Sequence, residues 1–188
     1  MKKTNNLLIF AIGFFIFIAS YFYDTKIDLF FKASRLPALD LIFSLITNFA
    51  FVALVILVLP SIFIYKTNKK SVNFLVLAYL SSIIAAFIIK FIVLRQRPIE
   101  AFNYPFTNII DYSFPSMHTM AVFALLPLLI YFFQRQKYFW IGFAFLVGFT
   151  RIYFGFHYLS DVAFGALAGY FIGEFVLGVY EKKHEPKK

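Results

Sequence analysis

Cysteine is absent from all 188 residues of the chain, which rules out a disulfide framework and a thiolate metal site and leaves the redox compartment open. Charge is scarce too: Asp, Glu, Lys and Arg make up 14% of the residues, where an ordinary soluble domain carries about a quarter. The shortage falls hardest on the acids, nine against eighteen bases, and no run of carboxylates offers a site for a metal ion. What fills the space is hydrocarbon. Hydrophobic residues reach 62%, against about half in soluble domains, which excludes such a domain and predicts an all-α polytopic membrane protein with residues 1–188 as one transmembrane domain. A net charge of +9 raises nucleic acid as a partner, but the Lys and Arg residues sit in short gaps between apolar runs. That pattern is a topology signal, and no nucleic-acid partner is expected.

Six apolar runs predict six spans in a helical bundle. Residues 7–23 follow Lys2 and Lys3 and are just long enough to cross a bilayer. They also suit a signal peptide with a weak site after Ala19-Ser20, but no convincing small-x-small site follows, so an uncleaved helix is expected. In residues 24–40, Asp24, Asp28, Lys32 and Arg35 share one helical face and Ile27, Phe30 and Phe31 another. The pattern fits a short helix in the interface plane near a lipid entrance, or a plain loop. Residues 41–65 are the second span, closed by Lys66, Lys69 and Lys70. Residues 72–94 are the third, ending in Lys90, Arg95 and Arg97 ahead of Pro98, which disfavours helix at Arg97. Residues 99–112 form a loop. The fourth span is 115–133, with Ser113 as cap and Pro115 in the first turn. The fifth is 138–155 and the sixth 160–180. Asp161, Gly165, Gly169 and Gly173 recur every four residues in the sixth, and Gly148, Arg151 and Gly155 are similarly spaced in the fifth. These two helices are expected to pack together along small residues. Glu174 reads as a snorkelling or paired residue, and His184 in the tail EKKHEPKK as incidental.

Six spans put both termini on one side. Eleven bases fall on that side (Lys2, Lys3, Lys66, Lys69, Lys70, Arg135, Lys137, Lys182, Lys183, Lys187, Lys188) and seven on the other, so the positive-inside rule places the termini in the cytoplasm. The unusual polar residues then gather on the opposite face of a cell membrane.

Three stretches carry them. Lys90 and Arg97 are seven apart, about two helical turns, so both can point into one cavity. Two cations there would repel unless an anion lies between them. Snorkelling accounts for Arg95 and Arg97, and less well for Lys90, about a turn deeper. Ser116 and His118 lie in PSMH at a helix start, where free N–H groups and the dipole favour an anion; a lone His118 would suit a structural hydrogen bond as well. In TRIYFGFHYLSD, from Thr150 to Asp161, Arg151 is a charge near hydrocarbon that calls for a partner or a function. His157 and Asp161 are four apart and would meet on one helical face. A carboxylate there can hold one ring nitrogen as donor and free the other as nucleophile or base, or the two can form a packing ion pair. Taken together, Lys90, Arg97, Ser116 and Arg151 make a phosphate cradle with two imidazoles left for chemistry.

At this point the chain resembles the type 2 phosphatidic acid phosphatase (PAP2) superfamily of membrane lipid phosphatases. Its motifs are Lys-x6-Arg-Pro, Pro-Ser-Gly-His and Ser-Arg-x5-His-x3-Asp; here they read KFIVLRQRP from Lys90, PSMH from Pro115 and TRIYFGFHYLSD from Thr150. Met117 replaces a family Gly, narrowing the space beside the phosphate while keeping the backbone N–H, and Thr150 replaces a Ser. The resemblance implies His157 as nucleophile, Asp161 as its orienting group, and His118 as the acid on the leaving oxygen and later the base for water. It implies Lys90, Arg97, Ser116, the Met117 N–H and Arg151 as phosphoryl ligands, and no metal or other cofactor. A site at the membrane surface with no soluble domain favours a lipid phosphate substrate held in the bilayer: undecaprenyl diphosphate, phosphatidic acid or phosphatidylglycerol phosphate, with family frequency favouring the isoprenoid. Transfer of the phosphoryl group to a lipid hydroxyl, and lipid binding without catalysis, are the alternatives. The oligomeric state is left open.

Overall fold

A computed structural model describes residues 2–98 and 112–184. The loop expected at 99–112, except Tyr112, and the tail beyond His184 lie outside the described residues. Among the described residues the regular structure is helical: α1 (Lys2–Tyr21), α2 (Asp24–Ser34), α3 (Pro37–Thr47), α4 (Phe49–Ala53), a π-turn (Leu54–Val58), α5 (Leu59–Thr67), α6 (Lys69–Val93), α7 (Met117–Phe132), α8 (Lys137–Tyr153) and α9 (Leu159–His184).

The centre of the bundle is α7. It is apolar on every side, and a helix of that kind has to be surrounded; it is buried without a gap from Thr119 to Leu129. Helices α6, α8 and α9 pack around it. The closest approach is with α9, whose Gly165, Gly169 and Gly173 lie against the α7 backbone. A Cβ at Gly165 would come within 2.9 Å of the Ser116 carbonyl oxygen, and Cβ atoms at Gly169 and Gly173 would collide with those of Met120 and Ala124. The stripe expected to join the fifth and sixth spans therefore joins the fourth and sixth. The first turn of α9 meets α8, where Val162 faces Gly148.

Helix α1 runs antiparallel to α9. Asn6 donates to Glu174 at 3.2 Å, Phe10 meets Phe171 and Phe17 meets Phe164. The start of α1 thus lies beside the later half of α9. Around the end of α9, Tyr180 touches Phe74, Tyr131 and Phe132 and bonds Ser71. The α5–α6 and α7–α8 junctions accordingly sit at that same end. His184 stacks there on Tyr180, far along α9 from Asp161.

Large apolar side chains cover the outside: Leu7, Phe15, Ile84, Ile92 and Phe175 are all exposed, as expected of a surface facing hydrocarbon rather than water. Among the described residues four helical stretches, Asn6–Ser34, Phe49–Lys66, Lys69–Val93 and Leu159–His184, are long and apolar enough to cross a membrane. The count of six is not reached by this measure. Helix α7 has 16 residues and α8 has 17, because the apolar runs at 115–133 and 138–155 extend into turns. The second run, 41–65, is also no single helix. Asn48 takes an extended ψ of 126° and its side chain accepts from the Phe51 N–H at 3.1 Å, ending α3 and capping α4. Pro60 then lacks the N–H to continue an α pattern, and the preceding turn widens.

Candidate active site

The site is built where α6 ends, α7 begins and α8 turns into α9. Helix α6 stops at Val93, four residues before Arg97, because Leu94 takes a left-handed φ of 51° and returns its N–H to the Lys90 carbonyl at 3.0 Å. Lys90 and Arg97 therefore do not share a helix, as their spacing predicted; Arg97 arrives on the non-helical segment that follows. Lys90 is 1% exposed, and its ammonium donates to the Tyr112 carbonyl. Arg97 donates from Nη1 to the Phe156 carbonyl at 2.9 Å and lies 3.5 Å from His157 Nε2.

Ser113 does not cap α7. Its N–H donates to the Arg95 carbonyl at 2.6 Å and its hydroxyl to Asp161 Oδ2. The Phe114–Pro115 peptide is cis, and Ser116 is the N-cap residue. The Ser116 N–H reaches the Asp161 carbonyl at 3.1 Å and its hydroxyl lies 2.9 Å from that of Thr119, so this side chain is buried in the α7–α9 contact. The Met120 N–H is the one that reaches back to Ser116, which leaves the amides of Met117 and His118 in the unpaired first turn. His118 meets the Phe49 ring edge-on at 4.9 Å, and its buried Nε2 has no hydrogen-bond partner among the described residues.

Arg151 ends α8. Its Nη1 donates to the Thr47 hydroxyl at 2.5 Å and the Thr47 carbonyl at 3.3 Å, and its guanidinium lies 4.5 Å over Phe156. The break after Thr47 thus presents a carbonyl that an unbroken helix would have used. Gly155, at φ 68°, turns the chain, and the His157 N–H closes the turn on the Arg151 carbonyl at 3.2 Å. Thr150 bonds its own helix at Val147.

His157 is 2% exposed. Its Nδ1 lies 2.6 Å from the Ser113 carbonyl oxygen, and a carbonyl only accepts, so Nδ1 carries the proton and Nε2 keeps its lone pair on the side of Arg97. The expected direct bond from His157 to Asp161 gives way to this one, with Asp161 Oδ2 at 3.8 Å. Asp161 instead accepts from the Ser113 hydroxyl, from the Tyr158 N–H at 2.8 Å and from Arg95 Nη1 at 2.7 Å. Arg95, read from the sequence as a snorkelling cation, is thus inside the assembly, and it also pairs with Asp24 at 2.7 Å. The face of α2 expected to lie in the interface turns inward: Asp24 and Asp28 are buried and Lys32 donates to the Pro98 carbonyl at 3.0 Å. The four-residue rhythm was visible in the sequence; its partner was not.

Burial holds the His157 pKa well below the usual histidine value, and the charges of Arg97, Arg151 and Lys90 lower it further. Two imidazoles and three cations drawn from five chain segments thus share one field, an arrangement suited to binding a phosphoryl dianion. Among the described residues no three of the His, Asp and Glu side chains converge as a metal site.

The model of the PAP2 superfamily matches residues 71–185, and the chain belongs to this superfamily, whose members are phosphatases. Over 140 residues, 72% of each chain, it is 29% identical to undecaprenyl-diphosphatase BcrC of Bacillus subtilis strain 168. Over 67 residues, 36% of this chain, it is 45% identical to the bacitracin transport permease protein BcrC of Bacillus licheniformis, and this match spans 33% of that relative. Among solved structures, the PAP2-type phosphatidylglycerolphosphate phosphatase of Bacillus subtilis superposes with a TM-score of 0.75 at 21% identity, over 97% of this chain and 98% of that one. Aquifex aeolicus LpxE does so with a TM-score of 0.63 at 27% identity, over 82% and 94%. The chain is a multi-pass membrane protein of this family.

Proposed function

We propose that the protein is a lipid diphosphatase of the cell membrane acting through a phosphohistidine, with undecaprenyl diphosphate as the favoured substrate and no metal in the reaction. The observation that carries this reading is the His157 ring, held through Nδ1–H by the Ser113 carbonyl so that the Nε2 lone pair faces the Arg97 side. In the proposed reaction Nε2 attacks phosphorus as the bond to the leaving oxygen breaks, and His118 delivers a proton to that oxygen. Water then attacks phosphorus, forming the new P–O bond as the N–P bond breaks and its pair returns to Nε2; His118 takes the water proton, phosphate leaves and His157 is restored. Lys90, Arg97, Arg151 and the first-turn N–H groups at Met117 hold the phosphoryl oxygens as charge moves, with Ser116 fixing that turn. Asp161 stabilises the imidazolium from 3.8 Å.

The isoprenoid substrate is supported by the similarity to the Bacillus subtilis undecaprenyl-diphosphatase. In this reading α7 and α8 also cross the membrane, making six spans with cytoplasmic termini and the site on the extracytoplasmic face. The distribution of Lys and Arg supports it.

The test is phosphate release by purified protein in detergent with EDTA, over undecaprenyl diphosphate, phosphatidic acid and phosphatidylglycerol phosphate, with His157→Ala alongside. EDTA-resistant release, fastest on the isoprenoid and lost in the variant, is expected. Release by folded His157→Ala at an appreciable rate removes the nucleophile, and release that EDTA abolishes removes the metal-free mechanism.

A further inference from the structure

The proposed nucleophile is braced from a part of the chain outside the residues that match the family model. Asp24, in the first turn of α2, is buried and its carboxylate is fully used. Oδ1 accepts from the Ser160 N–H at 2.9 Å. Oδ2 accepts from the Ser160 hydroxyl at 2.5 Å and from Arg95 Nη2 at 2.7 Å. A carboxylate receiving a first-turn N–H of α9 acts as that helix's cap, supplied by another helix.

Arg95 is the other half of the brace. Its Nη1 donates to Asp161 Oδ1 and to the Ser160 hydroxyl, both at 2.7 Å, and its guanidinium lies 4.1 Å over the Tyr158 ring and 5.5 Å over that of Tyr21. Its own carbonyl takes the Ser113 N–H at 2.6 Å. Ser113 is therefore gripped twice by the same unit, through its backbone by Arg95 and through its hydroxyl by Asp161, and Ser113 offers the carbonyl that orients His157. Two buried carboxylates share one guanidinium across Ser160. A buried charged network of this kind is costly unless every member is satisfied, and here two of its contacts end on Ser113, whose carbonyl holds the nucleophile.

We propose that Asp24 and Arg95 are positioning residues for the phosphatase reaction, a clamp from α2 through Asp161 and Ser113 that fixes the tautomer and aim of His157. The inference rests on His157 being the nucleophile, and it assigns a part in the reaction to a helix that otherwise serves only to pack. Loosening the clamp moves the Ser113 carbonyl relative to Nδ1, and a misplacement of about 1 Å at a reacting group costs on the order of 100-fold in rate. Substrate binding, made by Lys90, Arg97 and Arg151, is left in place.

The experiment compares Asp24→Asn and Arg95→Lys with Lys32→Gln, which removes a separate link from α2, to the Pro98 carbonyl. Each is assayed for kcat and KM of phosphate release, for thermal unfolding, and by nitrogen-15 NMR for the His157 tautomer. Both clamp variants are expected to lose about 10- to 100-fold in kcat, with KM within about twofold of wild type, and to show a mixed tautomer; Lys32→Gln is expected to keep kcat and the Nδ1–H form. A clean Nδ1–H tautomer with wild-type kcat in folded Asp24→Asn overturns the clamp, as does an equal kcat loss in Lys32→Gln, which would reduce the effect to docking of α2. Should the wild-type chain release no phosphate from any substrate, the proposed function fails, and the tautomer still decides the clamp.

Discussion

A carbonyl oxygen receives the Nδ1 proton of His157, and the neighbouring carboxylate acts one step removed. The i, i+4 spacing of His157 and Asp161 led to a direct pair because it assumed one helix, but α9 begins at Leu159 and His157 lies in the preceding turn. Asp161→Asn keeps the shape and removes the charge that draws in Arg95 and the Ser113 hydroxyl. It is expected to lower kcat about 100-fold, less than His157→Ala, which should abolish both turnover and phosphoenzyme; a wild-type rate would reduce Asp161 to packing. The depressed pKa of His157 also has a sign. Burial and three cations disfavour its protonated form, so the neutral nucleophile persists to lower pH than in a free imidazole. The His157 imidazole should accordingly titrate below about 6.5 in an NMR titration without substrate. Titration at or above that value would show that the three cations do not face the ring.

At the scale of the helices, the small residues of α9 were legible and their partner was not. Spacing tells which face of a helix admits a close neighbour, but which neighbour comes there depends on the order of packing around α7. Gly169→Val should lower the unfolding temperature sharply, since its side chain would collide with the Met120 carbonyl; overpacking of this kind costs about 1–3 kcal/mol or more. Gly142→Ala, with nothing within 4 Å of its Cβ, should leave the temperature unchanged or raise it, a gain of up to about 1 kcal/mol from helix propensity. The Asn48 break is hidden in the sequence because residues 41–65 are long and apolar enough for one continuous span. Its capping side chain was the one available signal. Asn48→Ala should cost about 0.5–2 kcal/mol in thermal unfolding.

For the molecule as a whole, the absence of cysteine gives a ready test of sidedness. The single-cysteine variants Lys26→Cys and Lys183→Cys place a thiol at an exposed position at each end of the bundle. In intact cells a membrane-impermeant maleimide should label the first and spare the second. The reverse pattern would put the site in the cytoplasm and the substrate on the inner leaflet. The same polarity orders the structure: α1 and α9 run antiparallel, so the start of one and the end of the other share the end marked by Tyr180, with the three motifs gathered at the opposite end.

The sequence by itself determined the membrane class, the helical architecture, the family and the short list of ionisable residues near the site, because a charge among hydrocarbon is too costly to be accidental. It determined less about how those residues meet. The α7–α9 contact and the Asp24–Arg95–Asp161 chain are settled by segments distant in sequence. An isolated Arg or Asp carries no mark of which opposite charge will desolvate it, and only packing around α7 chose between Arg95 as a surface cation and Arg95 as the bridge of the site.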